Sequence, residues 1–132
     1  MSKIAPIAMP ICELADRLTI ARLKMTRLAD DQIDKNGLQK QIAYYESGID
    51  DTDFGLAKLI IDLQAVNGEM WDAEYEIRKG LDDDLGLEEI GRRALCIRDL
   101  NRKRVAVKNQ IAELVGQSEF KDCKMNHVSS NP

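Results

Sequence analysis

The sequence predicts an all-α fold: a long antiparallel helical hairpin with one or two further helices, arranged as a bundle or coiled-coil-like assembly. Three observations carry this expectation. Apolar residues recur at alternating spacings of three and four, the period of a helix with one buried stripe. Charged residues make up 32% and aromatics only 5%, a mixture dominated by good helix formers. No strand alternation, glycine-rich phosphate loop or internal repeat interrupts the pattern. With 132 residues the chain can bury one core, so a single helical domain over 1–116 and a polar, partly mobile tail over 117–132 are expected.

The elements follow in order. Pro6 and Pro10 disfavour helix in the residues before them, so 3–9 are read as extended, and Pro10 suits the first turn of a helix. Ile11, Leu14, Leu18, Ala21, Met25 and Leu28 then form a seam, with Ile20 and Leu23 off it. A helix apolar on two sides is expected to touch several neighbours or a second copy. After the break at residues 29–32, a shorter helix over about 33–47 turns Leu38, Ile42 and Tyr45 inward and stops at Gly48. Thr52 or Asp53 can cap the next helix. Its seam of Leu56, Leu59, Leu63, Val66, Met70, Ala73 and Ile77 is the most regular in the chain. Residues 80–86 are expected to end it, and a fourth helix over about 87–115 carries Leu87, Ile90, Ala94, Ile97, Leu100, Val107, Ile111 and Leu114, closed by Gly116. Arg104 occupies a position where that seam wants an apolar residue. The short link makes the last two helices antiparallel neighbours.

Charge and cysteine content narrow the function classes. A net charge of -4 argues against whole-surface attraction to nucleic acid or acidic membrane, and there is no apolar run for a span or leader, so a cytoplasmic protein is expected. Cys12, Cys96 and Cys123 read as free thiols, and Cys123 with His127 lacks the further ligands zinc requires, so no metal or cofactor is expected. Residues 69–89 hold nine acids and two bases, while 91–110 hold seven bases and one acid. Across a hairpin these blocks are expected to neutralise each other, Glu74 nearing Arg92 or Arg93 and Glu69 nearing Arg98. A nucleic-acid surface on those bases lacks interleaved aromatics for stacking.

Beside the third seam runs a second stripe of Ile60, Asn67, Trp71, Glu74 and Arg78, in which Glu74 can bond Arg78 at i+4. Its bland reading is a packing flank. Its functional reading is a contact surface or shallow pocket of Asn67, Trp71, Glu74 and Arg78 facing Asn101, Arg104 and Lys108, since tryptophan and arginine anchor interfaces most often.

At these residues the chain resembles a known group of sequences. Asn67-x3-Trp71-Asp72-x-Glu74-x2-Ile77-Arg78, with Glu13-Leu14-x-Asp16-x2-Thr19-Ile20-x3-Lys24 before it and Asn101-x2-Arg104-x3-Lys108-x2-Ile111 after it, is similar to an uncharacterised family of small all-helical bacterial proteins. Some members are encoded near lipopolysaccharide and glycosyltransferase genes. The resemblance runs in order over about residues 10–116 and implies a small helical fold with no assigned activity, cofactor or catalytic residue. The family places an acidic residue after the asparagine that Asn101 matches, where this chain has Arg102.

Two enzyme readings remain as alternatives. Glu13 with Asp16 and Glu69 with Asp72 are carboxylate pairs of the kind that hold magnesium in helical nucleotide hydrolases, but the seams place both pairs on outer faces. Arg104 and Lys108 could hold an anionic substrate in the manner of helical chorismate mutases, although the flanking pattern matches that group poorly. Nucleophilic serine or cysteine chemistry has no support, because the one histidine lies in the tail. The expectation is therefore a non-enzymatic protein acting through protein contact. It should most readily form a homodimer through Ile20 and Leu23 of the first helix and the Ile60, Trp71 side of the third.

Overall fold

The computed structural model describes residues 9–82 and 86–122, with the backbone only at 81 and 82. Four helices, α1 (Ile11–Arg27), α2 (Lys35–Ser47), α3 (Phe54–Asp82) and α4 (Leu87–Leu114), are followed by one 3₁₀ turn, Ser118–Phe120, with no strand among the described residues. The fold is thus all-α, a long hairpin with two further helices. No described helix is long and apolar enough to cross a membrane.

Local chemistry sets most boundaries. Asp34 caps α2 by accepting from the Gly37 N–H (3.1 Å), and Gly48 ends it. Asp53 caps α3 through the Leu56 N–H (3.1 Å), while Thr52 bonds Asp50 in the turn before. Beyond α4, Gly116 takes a positive φ of 76° that a side chain would strain. As expected, α3 ends within residues 80–86: it runs to Asp82, with Gly80 buried in its last turn. Residues 83–85, the extended start at 3–8, and Cys123 with His127 lie outside the described residues.

Helix α1 is the centre of the molecule. It runs alongside α3, where Cys12 shares a core with Leu56 and Arg27 pairs with Asp72 at the other end. It is antiparallel to α4, where the Ile11 N–H donates to Gln117 Oε1 (2.8 Å). On its opposite side α2 folds back antiparallel, with Arg22 bonded to Glu46 (2.9 Å). Cys12, Ala15, Leu56, Ile60, Leu63, Ile111 and Ala112 make the buried core. The start of the tail is tied down as well, Asp122 N–H donating to Asn109 Oδ1 (2.8 Å) and Lys121 pairing with Glu113.

This arrangement corrects the expected self-association surface. Leu23 is 6% exposed and Ile60 8%, so both are covered within one chain. The two-sided α1 has spent both faces on internal neighbours, and Gly68 lets it approach α3 closely: a Cβ there would meet Arg27 Nη2 at 3.3 Å and Leu23 at 3.7 Å. Ile20 and Trp71 are half-buried. The α4 seam also departs from expectation, with Leu87, Ala94 and Leu114 exposed and Val105, Lys108 and Ala112 buried in their place. That face of α4 turns toward α1, which the period of α4 alone does not reveal.

Candidate functional site

Where α1 crosses α3 and α4, polar residues replace the apolar core. The inner face of α1 reads Cys12, Ala15, Asp16, Thr19 and Leu23 at helical spacing, and the small Ala15 and Thr19 let the neighbouring helices close in. From α4 come Arg104 and Lys108, one turn apart, and from α3 comes Asn67. They converge on Asp16, which is 3% exposed.

Asp16 accepts from Asn67 Nδ2 (3.1 Å), from Arg104 Nε (3.0 Å) and from Arg104 Nη2 in a two-pronged pair, with Lys108 Nζ at 4.0 Å. Asn67 Nδ2 also donates to Thr19 Oγ1 (2.8 Å), whose hydroxyl donates to the Asp16 carbonyl (2.8 Å). Lys108 pairs with Glu13 (2.8 Å), and Arg104 Nη1 makes a long contact to Asn101 Oδ1 (3.4 Å). Among the described residues no buried side-chain nitrogen or oxygen lacks a partner. Three helices are therefore pinned by one satisfied network in which two acids face two bases.

Electrostatics follow from these contacts. Burial pushes the Asp16 carboxyl up, but the hydrogen bonds from Arg104 and Asn67 and the charges of Arg104 and Lys108 outweigh it, so its pKa falls below the usual aspartate range. The bond to Asp16 raises Arg104 against its own burial. Cys12 is pushed up by burial and by Glu13, which leaves a protonated, weakly nucleophilic thiol. A carboxylate held this far toward its charged form, with its oxygens already occupied, is poorly suited to act as a base at neutral pH.

The sequence-derived candidates divide accordingly. Asn67, Arg104, Lys108 and Asn101 lie together, but their focus is Asp16 of α1 and not the α3 stripe. Trp71 and Glu74 border a hollow of about 240 Å³ with Ile20, Leu23, Asn67 and Arg104. Arg78 stands exposed outside the network, and the expected Glu74–Arg78 bond is not formed. The stripe is thus buried at Ile60 and Asn67, half-buried at Trp71 and exposed at Glu74 and Arg78, since α1 covers only its first part.

Glu13 and Asp16 require a correction: they turn inward, because the inner face of α1 lies beside the apolar seam that had placed them outside. Glu69 and Asp72 are exposed on α3, with Asp72 paired to Arg27. Among the described residues no group of three His, Cys, Asp or Glu side chains is placed to hold a metal. Asp16 and Thr19 were missed as site residues. The available signal was charge balance: two bases on the buried side of α4 require facing acids, and α1 carries Glu13 and Asp16 at suitable spacing.

The charge blocks of the hairpin also behave differently from expectation. No ion pair joins an α3 acid to an α4 base among the described residues. Arg92 and Arg93 pair with Glu88 and Glu89 of their own helix, and Arg98 and Arg102 lie 3.9 and 3.8 Å from Asp99. The side-chain link across the arm is Arg93 Nη1 donating to the Glu76 backbone carbonyl (2.8 Å). Glu69, Glu74 and Glu76 are exposed and unpaired among the described residues. Local i, i+3 and i, i+4 pairs form without bridging two helices, so they win.

Compared with known proteins, the chain matches no family model, no curated protein and no solved structure.

Proposed function

We propose that this is a non-enzymatic contact protein that pairs with a second copy of itself through the far end of the α3–α4 hairpin. The carrying observation is that α1 reaches only as far as Asp72, whereas α3 continues to Asp82, about 15 Å further, with only α4 beside it among the described residues. Two helices cover just one face of each other, so apolar positions on this arm stay open. Tyr75 is 54% exposed, Leu95 51% and Leu87 87%, and the seam residues Ala73, Ile77, Ile90 and Ile97 are only half-buried. Exposed apolar residues gathered on one projecting element mark a contact surface.

Charge favours the same chain as the occupant. Residues 69–82 of α3 hold five acids and two bases and residues 91–103 of α4 hold five bases and one acid, so a copy turned end over end can set acid against base twice. A two-fold contact has that self-complementary form. The apolar residues supply the affinity and the charges fix orientation. Sedimentation at micromolar concentration should give twice the mass of one chain, and Tyr75→Arg with Leu95→Arg should give a monomer of unchanged helicity. A wild-type chain that remains monomeric at high concentration would overturn the proposal.

A further inference from the structure

Away from the arm, a cleft of about 430 Å³ opens between α1 and α2, with Arg104 of α4 at its edge. That volume suits a small metabolite. Its floor is the face of α1 carrying Ile20 and Ala21, and its α2 wall offers Tyr45 and Gln41. The bases and acids lining it do not cancel. Asp16 is taken by Arg104, and Glu13 is taken by Lys108 at 2.8 Å. That leaves Arg17 and Lys24, both exposed and neither paired among the described residues.

Arg17 and Lys24 are seven residues apart on one helix face, about 10.5 Å along the axis, a span that two long basic side chains can close from either end. Two uncompensated positive charges match a phosphate monoester, which carries about -1.5 to -2 at neutral pH. The Tyr45 hydroxyl and Gln41 amide also lack hydrogen-bond partners among the described residues, and they provide neutral donors and acceptors for a hydroxyl-bearing body. We infer that this cleft binds a small organic phosphate. Arg17 and Lys24 hold its phosphate, and its body lies over Ile20 toward Tyr45 and Gln41.

Calorimetric titration of the full chain with ribose 5-phosphate, inorganic phosphate and ribose, at constant ionic strength, tests this. Saturable binding of ribose 5-phosphate, tighter than inorganic phosphate, with none for ribose, is expected. Arg17→Ala with Lys24→Ala should weaken it roughly tenfold or more while melting temperature and sedimentation stay as in the wild type. Tyr45→Phe with Gln41→Ala should bring ribose 5-phosphate down to the affinity of inorganic phosphate. The inference is overturned if ribose 5-phosphate shows no saturation at about 10 mM, or if the Arg17, Lys24 variant binds it as the wild type does. Equal wild-type affinity for the two phosphates would overturn it as well, since the organic body would then find no partner in the cleft.

Discussion

Asp16 shows how much one buried charge can organise. Its carboxylate is stable inside the protein only because Arg104, Asn67 and Lys108 surround it. Arg104→Met should therefore cost about 3 to 5 kcal/mol in urea unfolding by leaving that charge uncompensated. The double change Asp16→Leu with Arg104→Met should recover much of the loss, since apolar residues of similar volume can replace a buried pair. Acid adds an independent check. The folded-state pKa of Asp16 is depressed, so its contribution is present above the unfolded value of about 3.9 and lost as pH falls through the lower folded value. Stability of the wild type should drop over that window, and Asp16→Asn should flatten that part of the curve.

At the scale of elements, the period of α3 was enough to predict its face. Leu63 is fully buried in the core, and Leu63→Ala should cost about 2 to 5 kcal/mol by chemical denaturation because the cavity cannot collapse. Helix α1 was harder to read. Its apolar seam marks one direction, but three neighbours use nearly its whole circumference, so Asp16 and Leu23 looked external when only the seam was counted. Leu23→Glu illustrates the difference. The sequence expectation makes it a dimer-breaking change that keeps helicity, whereas its buried position beside Gly68 predicts lost folding, visible as reduced circular dichroism at 25 °C. The pairing of α3 with α4 was legible from their seams and short link. Their salt-bridge pattern was not, because local partners on α4 outcompete cross-helix ones, a choice that depends on side-chain geometry and not on block charge.

For the molecule as a whole, a compact body made by α1, α2 and the adjoining parts of α3 and α4 carries an arm that its own helices leave half covered. Acids gather on α3 and bases on α4 along the hairpin that forms this arm, five acids to two bases over 69–82 and five bases to one acid over 91–103. The most direct test is a charge exchange read by sedimentation velocity. One variant changes Glu69, Glu74 and Glu76 to Lys, and a second changes Arg92, Arg98 and Arg102 to Glu, none of them a hydrogen-bond partner of Asp16. Each variant alone sets like charges together at both contacts, so each should sediment as a monomer. Mixed in equal amounts, acidic α4 meets basic α3 at one end and the original pairing returns at the other, so the two should form a heterodimer. Monomers in the mixture, or dimers of either variant alone under conditions where the wild type is dimeric, would contradict pairing through the charged arm.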